Sequence, residues 1–329
     1  MKAIKTLAMA ALATAVFASC SSEDELAQNN YPMDNVVRIM TSVDGMNTRA
    51  SYGNSTDKLN SFGFCIKNAN SETYTYDNVK VTKEGSNWNP ATQMLWQNST
   101  TAVDILAYAP YQETTEDANG KVNVFGKTDY AFSVKEDQSN AEDYSSDLIV
   151  YKKTGFKPES DLNTNQAVDV TFTHLLSQLN LTIELRDQFN QDEKKPVTSA
   201  TVTDVKVDGT FIRSKVNFAA DPISFLRDGQ ASAAITPETV AFKKADKTTD
   251  HATFKYSAIV IPQKVIAGQL CIKFKVDGTD YIWTGTSDVE FVSGKKYDLL
   301  LLVGKDVVQV KGITATPWGK ETIIEKETD

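Results

Sequence analysis

Residues 168–185 read VDVTFTHLLSQLNLTIEL, and the fold class turns on the period of this block. Val168, Val170 and Phe172 alternate with polar residues on one side of His174, and Leu179, Leu181, Ile183 and Leu185 alternate on the other. A period of two marks a strand with one covered face. Leu175-Leu176 break that period, so the block is two strands, or one bent strand, joined by a short turn. It is the candidate passage between two domains.

Outward from this block the chain keeps the same style. Towards the N-terminus, Leu59–Lys67, Thr73–Val81, Asn87–Trp96, Ala102–Pro110, Val122–Phe125, Tyr130–Val134 and Asp147–Lys152 are short strand-like runs separated by turn residues. Towards the C-terminus, Val202–Val207, Phe211–Phe218, Ala231–Phe242, Phe254–Ile261, Leu270–Val276, Tyr281–Thr284, Val289–Val292, Tyr297–Val303 and Val307–Ile313 follow. Asp277-Gly278 is a hairpin turn. Strands this short and this closely spaced argue for antiparallel β-sandwiches with few helices. The 329 residues suffice for about two domains. The expected division is 36–175 and 176–329.

Composition narrows the function. Net charge is −9 and the lysines form no stripe, which argues against a nucleic-acid partner. Cys65 and Cys271 each sit on the face opposite their strand's larger apolar residues, so partly covered free thiols are expected rather than a disulfide. No cofactor motif or metal-ligand spacing is present. Two histidines offer no catalytic pair: His174 lies between Phe172 and Leu175 and reads as a hydrogen-bonded core or interdomain residue, and His251 lies in a polar loop. Glu142, Asp143 and Asp147 read as a solvated loop sooner than a cation site. Tyr281 and Trp283 flank Ile282 and read as a sheet face, with sugar stacking as the alternative.

The first 19 residues are an export signal: Lys2 and Lys5 precede a short apolar run ending in Phe17-Ala18-Ser19-Cys20. That ending resembles a bacterial lipobox, which makes Cys20 the expected lipidation site, palmitate included. Acidic and polar residues 20–35 form a tether. Then Val36–Ala50, VVRIMTSVDGMNTRA, opens as a strand in which Val37, Ile39, Thr41 and Val43 alternate with Arg38, Met40 and Ser42. It closes in turn chemistry ahead of Arg49-Ala50, a trypsin-like cut site. Cutting there would remove both the anchor and the first strand, residues 36–49.

Several residues in fixed order carry a resemblance. They are Ala107-Tyr108-Ala109-Pro110, Asp147–Val150, Phe172-Thr173-His174 with Leu179-Asn180-Leu181, Ile261-Pro262-Gln263, Gly294–Tyr297 and Pro317-Trp318. Together with the leader, the chain resembles Bacteroidetes fimbrillins of the Mfa-like (FimA-like) type, subunits of type V pili. The resemblance implies an all-β protein of two tandem transthyretin-like, Greek-key β-sandwiches. It implies an outer-membrane surface lipoprotein that is cut, loses an interior first strand, and accepts a strand from another pilus subunit to build the fimbrium. The donor is then expected in the C-terminal segment, with Val308, Val310, Ile313, Ile323 and Ile324 as candidates. No enzyme and no cofactor is implied, and the role is cell adhesion, with a glycan or protein on a host or bacterial surface as a further partner. An uncut chain would be a pilus anchor. A monomeric glycan-binding lipoprotein is the alternative from another class.

Overall fold

The structure is a computed structural model and describes residues 30–44, 52, 56–113, 123–190, 196–226, 230–245, 251–305 and 307–318. Its regular secondary structure is almost entirely strand. In the first half run β1 (Arg38–Asp44), β2 (Ser61–Lys67), β3 (Tyr76–Glu84), β4 (Asn87–Pro90), β5 (Val103–Ala109), β6 (Tyr130–Ser133), β7 (Ile149–Phe156) and β8 (Ala167–His174). From residue 177 follow β9 (Ser177–Leu185), β10 (Val202–Asp208), β11 (Phe211–Asn217), β12 (Ser224–Phe225), β13 (Gln230–Ser232) and β14 (Glu238–Lys243). The chain closes with β15 (Ala252–Val260), β16 (Gln263–Val265), β17 (Cys271–Val276), β18 (Thr279–Thr284), β19 (Val289–Phe291), β20 (Lys295–Val303) and β21 (Val308–Pro317). The block 168–185 is therefore two strands, β8 and β9, parted by Leu175-Leu176.

These two strands lie in different sheets. β8 belongs to a seven-stranded sheet ordered β1-β8-β7-β5-β2-β3-β4. β9 is the centre of a five-stranded sheet ordered β14-β15-β9-β20-β21. Most neighbours run antiparallel, but two pairs are parallel: β1 with β8, and β20 with β9. Smaller sheets, β10-β17-β18, β12-β11-β13 and β16-β19, belong to the second half.

Alternation along the strands builds two hydrophobic cores. Phe62, Phe64, Ile105, Ala107, Ile149, Val168, Val170 and Phe172 fill the first. Leu179, Leu181, Ile183, Ile259, Leu299 and Leu301 lie in the second. The near-continuous apolar reading of β5 has a direct cause: Ile105, Ala107 and Ala109 face the first core, and Leu106 and Tyr108 face the second. β2 is sandwiched likewise, which corrects the expectation for Cys65: this thiol is completely buried rather than partly covered, and burial pushes its pKa well up.

The segment 123–134 departs from its expected role. Residues around Val124 and Phe125 form a turn instead of a strand, and β6 pairs antiparallel with β11 of the second half. Val124, Tyr130, Phe132 and Val134 pack in the second core. Two side chains stitch the halves further. Lys152 donates to the carbonyls of Phe218, Ala219 and Ala220 at 2.7–3.2 Å. The Gln138 amide both accepts from and donates to the Ile259 backbone, at 2.7 and 2.9 Å. Each buried backbone group left without such a partner would cost about 1–3 kcal/mol.

Candidate functional site

The expected removable strand is β1. Its register on β8 is continuous, from Arg38 opposite Ala167 to Asp44 opposite Thr173. Val37, Ile39 and Val43 are 3%, 6% and 5% exposed and pack in the first core with Met94, Trp96, Val168, Val170 and Phe172. Thr41 is half-buried, and its hydroxyl oxygen is buried without a hydrogen-bond partner. Just before the strand, the Val37 N–H donates to Met94 O (2.9 Å) and the Trp96 N–H to Asn35 O (2.8 Å). Arg38 and Asp34 form an exposed ion pair at 2.6 Å, and the bond to Arg38 holds the Asp34 carboxyl below the usual range.

One expectation needs correction here. Among the described residues β1 is not interior: it ends its sheet, with β8 as its only ladder partner. Its other side faces β4 across a cleft of about 1230 Å³ lined by Val36–Thr41, Trp88, Pro90 and Met94. The alternation of Val37, Ile39 and Val43 revealed burial, but a period of two does not say how many strands flank a strand. The energetic reading survives the correction. Three covered aliphatic side chains contribute about 1.5–3 kcal/mol each, and the β8 ladder would be left open along one side.

At the other end of the chain, β21 also ends its sheet, antiparallel to β20. None of its ten residues is fully buried. The ladder skips one residue where Leu300 pairs with Gly312 and Leu301 with Val310, which leaves Lys311 as a bulge. Gly312 has φ +148°, a backbone conformation that L side chains rarely adopt. The bulge resets the alternation. Val308 and Val310 before it, and Ile313 and Ala315 after it, all stand opposite the inward-facing Val303, Leu301, Leu299 and Tyr297. This inward row is covered only in part: Val308 and Ile313 are half-buried against the second core. Val310 remains 42% exposed, and a cavity of about 430 Å³ lies between the row and Trp283, Val289 and Glu290. Ile323 and Ile324 lie outside the described residues, as do Cys20, Arg49 and Ala50.

The two outer strands approach one buried cluster. His174, the last residue of β8, has Nδ1 2.9 Å from Asp147 Oδ1. Both side chains are shielded, 1% and 0% exposed. The second oxygen of Asp147 accepts from the Tyr52 N–H at 2.9 Å. Trp318, directly after β21, stacks on the His174 ring at 4.0 Å and 4°. The Trp318 N–H donates to Gly294 O at 2.8 Å, and its indole Nε1 is buried without a hydrogen-bond partner. His174 is thus a core residue as its neighbours implied. Its partners, 27 residues upstream and at the far end of the chain, carry no sequence signal beyond their polarity and aromaticity.

The other candidates disperse. Glu142 pairs with Lys58 at 2.9 Å, Asp143 pairs with Lys135, and Asp147 points inward. Among the described residues no group of three or more His, Cys, Asp or Glu could hold a metal ion. Trp283 is buried, and Tyr281 stacks on Phe274 and donates to Lys305 O. His251 sits between Glu184 (2.7 Å) and Asp187 (2.9 Å).

Comparison with known proteins places this geometry. A cell-adhesion protein from Bacteroides ovatus shares the fold with a TM-score of 0.60 at 13% identity, over 87% of this chain and 99% of that one. A cell-adhesion protein from Bacteroides uniformis does so with a TM-score of 0.56 at 20% identity, over 87% and 99%. A fimbrial protein from Bacteroides vulgatus aligns with a TM-score of 0.51 at 17% identity, over 86% and 99%. No curated protein sequence matches. The family described as fimbrillin-like matches residues 48–318, well over half of the chain. The chain belongs to the fimbrillin-like family.

Proposed function

We propose that this chain is the precursor of a fimbrial stalk or tip subunit that polymerises by strand exchange. It reaches the outer surface as a lipoprotein acylated at Cys20. Cleavage after Arg49 removes residues 36–49, and a C-terminal strand from a neighbouring subunit takes the vacated place. The observation that carries this reading is the state of β21: an apolar row, Val308, Val310 and Ile313, aligned on one face yet only partly covered, with a cavity beside Val310 and Ile313. Such a strand loses little when it leaves and gains a covered slot when it docks along β8. β1, by contrast, fills its own core and must be cut away to open one.

The test is the N-terminal sequence and intact mass of the protein recovered from the cell surface, read beside detergent-resistant ladders on gels. A chain starting at Ala50 without lipid, in ladders, is the expected result. A monomer starting at acylated Cys20 would overturn the proposal and leave an anchor or a non-polymerising binding protein. Deleting residues 319–329 should weaken the ladders and leave folding intact.

A further inference from the structure

The His174–Trp318 stack joins the two strands that the proposed assembly treats separately. The β1 ladder on β8 ends at Asp44 opposite Thr173, and the next residue of β8 is His174. His174 carries the ring on which Trp318 rests, and Trp318 directly follows β21. Asp147 fixes the imidazole from below and simultaneously holds the backbone N–H of Tyr52, the first described residue after β1. β21 itself is held by its ladder on β20, which the bulge at Lys311 interrupts, and by the half-buried Val308 and Ile313; none of its ten side chains is fully buried. The stack is therefore the main buried attachment at its end.

We infer that Asp147, His174 and Trp318 form an autoinhibitory latch: it keeps the C-terminal strand on its own subunit while β1 is in place, and it loosens when β1 is lost. This inference rests on the assembly reading above and adds its timing. The physical route is short. With β1 gone, β8 has no partner on its outer side as far as Thr173, and only the pairs Thr173–Val150 and His174–Ile149 tie its end to β7, so that end loosens. Loosening tilts the His174 ring out of the 4° stack, and Trp318 and β21 lose their clamp. The donor is then released only from subunits whose acceptor is already open, and uncut precursors do not pair prematurely. Asp147 and His174 act as positioning residues, through Trp318.

Amide hydrogen exchange on the monomeric full-length chain tests this. The perturbations are Ile39→Ala, which weakens β1, Trp318→Ala, which removes the stack, and both together. Ile39→Ala should speed exchange at residues 308–317 at least tenfold, although Ile39 does not belong to their sheet. Trp318→Ala should speed it similarly, and the double variant should add less than threefold to Trp318→Ala. Trp318→Phe, which can still stack, should restore slow exchange. Unchanged exchange at 308–317 in Ile39→Ala, or fully multiplicative effects in the double variant, would overturn the latch. Because the readout is taken on monomers, that failure leaves strand exchange standing. Conversely, a chain that never polymerises can still show the coupling.

Discussion

Among the described residues β1 and β21 both end their sheets, each laddered to one neighbouring strand, yet they are built on opposite plans. β1 and the residue before it drive Val37, Ile39 and Val43 into a filled core and leave a cleft on the far side. β21 aligns Val308, Val310 and Ile313 in the same way but covers them only in part, with a cavity beside Val310 and Ile313. Pairing alone does not hold a strand; what lies beneath its inward row does. Each covered aliphatic side chain contributes about 1.5–3 kcal/mol, whereas a net backbone hydrogen bond contributes about 0.5–1.5. A strand that is to leave without proteolysis must therefore be poorly covered, and one that is well covered needs a cut.

Substitutions can break this comparison. The largest effect is expected for Ile39→Asp, which places a charge in the first core and should cost about 4 kcal/mol or more in urea unfolding. The matching Val310→Asp should cost under about 1 kcal/mol, because its site is already open to water. Equal costs would end the distinction between the two strands. Trp318→Ala removes a buried indole and should cost about 3 kcal/mol by thermal or urea melting. A loss close to zero would show that β21 is not clamped at its end. Gly312→Ala forces an L residue into φ +148° and should cost about 1–3 kcal/mol. That loss should appear as faster exchange at 308–313 with little change in the global midpoint.

The smallest effect concerns the Asp34–Arg38 pair before β1. The folded pKa of Asp34 lies below its ordinary value, so its contribution is complete above about pH 4. It is lost as pH falls through the lowered folded value. Exchange at residues 36–38 should rise slightly on acidification in that window, and Arg38→Gln should reduce the pH dependence to what the Val36 N–H bond to Asp34 sustains. Faster exchange on raising the pH from neutrality, after correction for the intrinsic rate, would contradict the assignment.

Much of this was readable from the chain itself. The broken period at Leu175-Leu176 marks the change of sheet, and the apolar flanks of His174 mark its burial. The alternation in 37–43 gives the inward face of β1. Three things were not readable, each for a physical reason. Side-chain alternation is the same for parallel and antiparallel neighbours, so the β1–β8 and β20–β9 pairs are invisible to it. It is also the same for edge and interior strands, so the free side of β1 was missed. Finally, residues 123–134 are short and weakly periodic, and their packing against the second core is set by long-range partners such as β11.

The bulge at Lys311 has a consequence for any fibre that β21 would build. In a regular strand, a slip of two residues keeps every side chain on its side, so neighbouring seats are nearly degenerate. β21 has even-numbered inward residues before the bulge and odd-numbered ones after it. A slip in either direction puts the change of parity opposite the wrong place, and part of the apolar row then faces water. If β21 carries its bulge into such a fibre, the strand would be keyed like a notched shaft: it would seat at one position, and that notch would fix the distance from subunit to subunit.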